Sequence, residues 1–204
     1  VSWLAIGRDD PEETDLTGYT AASIHVDRYQ RQMLVDVLMT RASLGLSQQA
    51  LDHGLARSIA EWAEGNAHDG LTVLFVATDH ASEAGRARLT EADVERAIDE
   101  MPQPCISLGV VLGLPANRQA VLRALVDVSP EDRSSVTATT AAISESSAVD
   151  LSEGTVKRFL YEMAEAGVVE RVQSEARHEQ GRPPSRVVPR FPPTAFRRLY
   201  DLRQ

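Results

Sequence analysis

The 204-residue chain contains one cysteine, one lysine and no long apolar run. The single thiol, Cys105, excludes an internal disulfide and leaves no cysteine cluster for zinc; within PQPCISL it reads as a small buried residue. No apolar stretch reaches the roughly 20 residues of a membrane span and no signal-peptide pattern opens the chain, so a cytoplasmic location is expected. Catalytic signatures are missing as well. There is no G-x-x-x-x-G-K-[ST] loop, no G-x-S-x-G elbow and no H-E-x-x-H helix, and the five histidines (His25, His53, His68, His80 and His178) are scattered. The expectation is a chain that is not itself an enzyme, with no catalytic residue, no metal and no cofactor of its own.

What is present is ordinary in bulk and uneven in distribution. Hydrophobic residues make up 43% and charged residues 25%, enough for one or two domains with proper cores. The formal net charge is −9, and Lys157 is the only lysine among 21 basic residues. An acidic, lysine-poor composition favours solubility at high salt, and a GC-rich genome, which favours arginine codons, produces the same bias. Residues 1–150 hold 11 arginines against 23 acids, a balance of −12, whereas residues 151–204 hold 10 basic residues against 7 acids, a balance of +3. The last quarter is the part suited to a polyanion.

The opening VSWLAI is a short apolar run that predicts a buried strand. One strand cannot satisfy its own backbone groups, so partners are expected upstream of Val1. Residues 7–20, GRDDPEETDLTGYT, read as a polar connector. A helix is expected in DRYQRQMLVDVLMTRASLG, where Tyr29, Met33, Leu34, Val37 and Leu38 recur at helical spacing and Gly45 ends the run. Others are expected in QQALDHGLARSIAEWAEG, in HDGLTVLFVATDHASEAG, which His68 helps to start, and in EADVERAIDEM. Thr90 caps the last of these, with Asp93 placed as the return partner of a capping box. Residues 25–101 thus read as a helical bundle, and Pro102 and Pro104 break the pattern at a domain boundary.

Beyond the prolines, ANRQAVLRALVDV, SVTATTAAISESS and SEGTVKRFLYEMAEAG predict three helices, and VVERVQS and SRVVPRF two strands joined by EARHEQGRPP. Three helices followed by a hairpin is the order of a winged helix-turn-helix. In the third helix Ser152 is the cap and Gly167 the stop, Val156, Phe159, Leu160 and Met163 form the buried stripe, and Gly154, Lys157, Arg158, Tyr161 and Glu165 point the other way. In this fold the third helix lies in the major groove and the hairpin loop reaches along the backbone or the minor groove. The DNA-binding residues expected are Ser152, Thr155, Lys157 and Arg158 in the helix, and Arg182 and Arg186 in the wing. Residues 171–204 carry 8 arginines against 3 acids.

The order of these parts resembles the archaeal origin-recognition and cell-division-control replication initiators, AAA+ ATPases that end in a winged helix. VSWLAIGRDD is similar to the strand bearing the first sensor, IHVDRYQRQMLVDVLMTRASLG to the opening of the lid, and EGNAHDGLTVLF to the segment carrying the second sensor; LTEADVERAIDEM, LPANRQAVLRALV and LYEMAEAGVVERV follow in the family's order. The resemblance implies a mainly α chain covering the family's C-terminal part: residues 1–20 a remnant of the AAA+ core strand with its connector, 21–104 the helical lid, and 105–204 the winged-helix DNA-binding domain. It also implies origin-like double-stranded DNA, a replicative helicase and other initiator subunits as partners, with ATP or ADP bound by the full-length parent. Two departures stand out. Gly7-Arg8-Asp9 replaces the Asn-Asp pair that closes the first sensor strand, and His68 stands where the second sensor places arginine, so it is a degenerate nucleotide sensor. Imidazole lacks the rigid paired hydrogen bonds of a guanidinium, which puts ATP hydrolysis by the parent in doubt. Two other readings fit the same order of elements: a protein-interaction winged helix docking on an acidic partner, and a stand-alone winged-helix transcription regulator.

Overall fold

The computed structural model describes residues 3–6, 17–173 and 184–203. After a 3-10 turn at Thr17–Tyr19 the elements are α1 (Arg31–Gly45), α2 (His53–Trp62), α3 (Ala67–Glu83), α4 (Glu91–Asp99), α5 (Leu108–Leu112), α6 (Ala116–Asp127), α7 (Val136–Glu145), α8 (Glu153–Glu165), β1 (Val169–Gln173), β2 (Ser185–Pro189) and α9 (Pro193–Asp201). Local chemistry sets most of the starts. Asp52 accepts from the Leu55 amide, Asn66 from His68 and Asp69, Ser135 from Ala138 and Ser152 from Thr155, so orphan N–H groups in each first turn find an oxygen. Thr90 and Asp93 close the expected capping box reciprocally.

Helices α1 to α4 pack as a bundle around Leu34, Leu38, Ile59, Val73, Val76 and Val94. The α2–α3 turn is held by Gly65, whose φ of +82° is open to glycine and strained for any other residue. Its carbonyl accepts from the Tyr29 amide at 3.0 Å, and a Cβ there would run into the Tyr29 carbonyl oxygen. Gly65→Ala is expected to lower stability by about 2 kcal/mol, the left-handed conformation alone accounting for roughly 1–2. Thermal unfolding should show a clearly smaller loss for Gly85→Ala, where φ is +68° but the space is open.

Helices α6, α7 and α8 followed by the β1–β2 hairpin form the winged helix-turn-helix arrangement. Ile143, Val156, Phe159, Leu160, Met163, Val169 and Val187 fill its interior, and Gly167, at φ +71°, turns α8 into β1. The hairpin is antiparallel, with Arg171 opposite Val187 and Val172 opposite Arg186. Directly opposed residues share a face and neighbours along a strand alternate. Arg171 therefore lies on the face that carries buried Val187, and Arg186 on the other.

Several sequence expectations are corrected. Trp3–Ile6, the described part of VSWLAI, form no strand and are exposed; among the described residues no strand lies beside them to accept their hydrogen bonds. In α1 the buried positions are Leu34, Val35, Leu38 and Ala42, while Met33 and Tyr29 face outward. The second helix starts at His53, because Asp52 caps it and Gln49 takes a positive φ. Two helices were not anticipated, α5 in LGVVL and α9 in PTAFRRLYD.

Helix α9 crosses from the hairpin back to α3, α5 and α6. Fully buried Phe196 meets Phe191 edge-on, with centroids 4.9 Å apart. Thr194 Oγ1 donates to Glu100 at 2.8 Å, and Arg198 pairs with Asp79 at 2.7 Å. The Ile106 amide donates to the Arg190 carbonyl at 2.6 Å, tying the segment after Pro104 to the base of the hairpin. Buried side chains from α1 through α9 belong to one contiguous apolar cluster. Among the described residues no helix is long and apolar enough to cross a membrane.

Candidate nucleic-acid interface

The buried stripe of α8, Val156, Phe159, Leu160 and Met163, fixes which side chains face solvent. Ser152, Lys157 and Arg158 are exposed and Thr155 is half-buried. Ser152 Oγ lies 3.1 Å from Thr155 Oγ1, so the two hydroxyls sit together at the positive end of the helix dipole. The space beside Gly154 is open, which lets another molecule approach the backbone of the first turn. Lys157 makes no ion pair among the described residues. Toward the other end of α8, Glu165 and, on β1, Glu170 are exposed; in front, the hydroxyls and cations share the first turns with one exposed carboxylate, Glu153.

Two arginines that the sequence reading did not place in the site join this face. Arg171 on β1 stacks over the Tyr161 ring of α8, its guanidinium carbon 4.6 Å from the centroid, and donates to Ser185 Oγ at 3.2 Å. A cation is thus held at the junction of helix and hairpin. On the opposite flank, Arg118 of α6 donates to Glu162 at 2.6 Å and Arg158 donates to the same carboxylate at 2.8 Å. Both guanidiniums also lie over Phe159, at 4.6 and 4.9 Å from its centroid. Hydrogen bonding from Arg118 holds the Glu162 carboxyl below the usual carboxylate range, against an opposing effect of burial and with the charges of Arg118 and Arg158 adding to it. No local sequence period marks either arrangement; only the i, i+4 spacing of Arg158 and Glu162 was visible in advance.

Arg186 is exposed but stands on the face of the ribbon away from Arg171. Arg182 lies outside the described residues, as do Arg177 and most of the wing loop.

His68 occupies the first turn of α3. Its Nε2 accepts from the Leu108 amide at 3.2 Å, which leaves the proton on Nδ1 to be donated to Asp69 at 3.0 Å. Donor atoms of His68, Asp69 and Cys105 lie within 4.8 Å of one another, but a metal would have to displace one of these two hydrogen bonds to reach the ring. The same occupancy leaves no ring nitrogen free for a phosphate, so His68 does not fit the sensing role that the resemblance attaches to its position. It works here as a tie between α3 and α5.

Residues 35–99, which comprise most of α1 and all of α2 to α4, match the family model of the Cdc6 AAA+ ATPase-type lid domain. Over that segment the chain is similar to a lid of that type, and the resemblance to origin-recognition-type initiators drawn from the sequence is borne out there. Solved structures similar to this chain include Cdc6p from Pyrobaculum aerophilum, with 18% identity over 86% of this chain and 49% of that one and a TM-score of 0.34. The Aeropyrum pernix ORC1 protein in complex with DNA is 22% identical over 84% and 46%, with a TM-score of 0.39. Drosophila ORC bound to DNA is 15% identical over 87% and 45%, with a TM-score of 0.35. The chain spans about half the length of these structures or slightly less. No curated protein matches the sequence.

Proposed function

We propose that this chain is the DNA-binding C-terminal part of an origin-recognition-type replication initiator: a segment over 1–20 that belongs to the core and its connector, a lid over 21–104, and a winged helix over 105–204 that contacts duplex DNA. The observation that carries the reading is the concentration of cations and hydroxyls on one face of an acidic molecule. Ser152, Thr155, Lys157 and Arg158 line the front of α8, and Arg171 is held beside them between helix and hairpin. A helix N-terminus with hydroxyls and unpaired positive charge suits phosphate and base-edge contact. Arg186 and Arg182 act from the wing on the sugar-phosphate backbone. A replicative helicase and other initiator subunits are the partners in this reading, with ATP or ADP belonging to a full-length parent; no nucleotide step is assigned to His68.

Duplex affinity measured across salt tests this. Each lost phosphate contact should flatten the slope of log affinity against log salt by about 0.9. Lys157→Ala and Arg171→Ala are each expected to do so, and Arg186→Ala likewise if the wing clamps the backbone. An unchanged slope in Arg186→Ala alone confines the contact to α8 and Arg171, whereas unchanged slopes in all three would remove duplex binding through this face.

A further inference from the structure

The flank of α8 formed by Arg118, Phe159, Arg158 and Glu162 carries a more specific reading, which rests on the duplex-binding proposal above. Two guanidiniums converge on one carboxylate, at 2.6 and 2.8 Å, and both lie over the ring of Phe159, which is itself buried. Like charges drawn this close require an anion near both. A duplex phosphate is such an anion, and it offers a guanidinium the same paired oxygens as a carboxylate. Arg158 is well exposed and Glu162 about one-third exposed, so an incoming phosphate can reach the pair without unfolding the helix.

We infer that Glu162 holds in the free protein a guanidinium that a backbone phosphate takes over in the complex, so that Arg118 and Arg158 form a phosphodiester site held in register, and partly neutralised, by an internal carboxylate. Arg118 thereby joins the binding residues, and Glu162 is a positioning residue that limits binding through charge alone. On contact the phosphate takes over one guanidinium while Glu162 keeps the other. The Phe159 ring holds both in place during the exchange.

Glu162→Gln retains the shape and removes the charge. Measured by fluorescence anisotropy on the 204-residue chain with a labelled mixed-sequence duplex of about 20 base pairs, its slope against salt should steepen by about 0.9, one added phosphate contact. Between about 200 and 50 mM salt its affinity should rise about 3.5-fold more than that of the unsubstituted protein. Adding Arg118→Gln should return the slope, and Arg118→Gln alone, which leaves Glu162 to neutralise Arg158, should flatten it by about 0.9. That single variant also reads the site should Glu162→Gln fail to fold, as circular dichroism would reveal. A Glu162 that merely ties α6 to α8 predicts a lower Tm with the slope unchanged, and that result overturns the inference. If the unsubstituted protein binds and Lys157→Ala flattens its slope while both Glu162→Gln and Arg118→Gln leave it alone, only this inference falls; if the unsubstituted protein does not bind duplex at all, the functional reading falls and takes this one with it.

Discussion

Asp93→Ala is expected to lower the unfolding free energy by about 3–4 kcal/mol, through loss of a buried carboxylate that pairs with part-exposed Arg86 and of a helix cap. Asp93 is 5% exposed and accepts from both Arg86 terminal nitrogens, at 2.6 and 2.7 Å, and from the Thr90 amide and hydroxyl, at 2.8 and 2.7 Å. Removing the carboxylate orphans the Thr90 amide at the start of α4 and leaves Arg86 without its ion pair, keeping only a 3.4 Å hydrogen bond to the Arg88 carbonyl. Arg86 keeps substantial exposure and regains water, which holds the cost to the lower part of the range for broken buried pairs. The same carboxyl makes the effect depend on pH. Hydrogen bonds from Arg86 hold it well below the ordinary aspartate range, against burial and with help from Thr90. A depressed folded value means that the stabilisation is complete above the unfolded aspartate value of about 3.9 and is lost as pH falls below it. Denaturant unfolding should show a full gap between the two proteins at pH 7 that narrows below about pH 4; a gap that stays constant into acid would mean that the charge of Asp93 is not what stabilises α4.

The second large effect is expected at Phe196→Ala, where removal of a fully buried ring should cost about 3–5 kcal/mol. Phe196 contacts Phe191 at the end of the hairpin and Tyr200 one turn on, with centroids 4.9 and 5.8 Å away. Its helix, α9, packs on α3, α5 and α6, so the cavity would open beneath the helix that links these elements. Leu202→Ala, at a side chain 77% exposed, is the control and should change little. Equal midpoints for the two variants in urea would show that α9 is not part of the cooperative unit.

The expectations that held share a cause. Capping and periodicity are contests among groups a few residues apart, so Thr90 with Asp93, Ser152, Gly167 and the α8 stripe could be read without the fold. VSWLAI failed for the complementary reason. An apolar run becomes a strand only when another strand takes its hydrogen bonds, and none among the described residues does. In α1 the apolar set is wider than the buried stripe, and packing against α2 and α3, not spacing, chose Val35 and Ala42 over Met33. Helix α9 is obscured in the sequence by its arginines, which only the fold pairs: Arg198 with Asp79 and Arg197 with Asp127.

Segregation of charge toward the last quarter, the caps of α4 and α8 and the three-helix-plus-hairpin order were determined by the sequence by itself, because each rests on composition or on near neighbours. Tertiary structure alone decided that Arg118 meets Arg158 at Glu162, that Arg171 stacks on Tyr161, that Arg186 turns to the far face of the ribbon, and that His68 is engaged by the Leu108 amide. Partners such as Arg118 and Glu162, 44 residues apart, leave no periodic trace along the chain, and which arginine is free and which is held follows only once packing has set their distances.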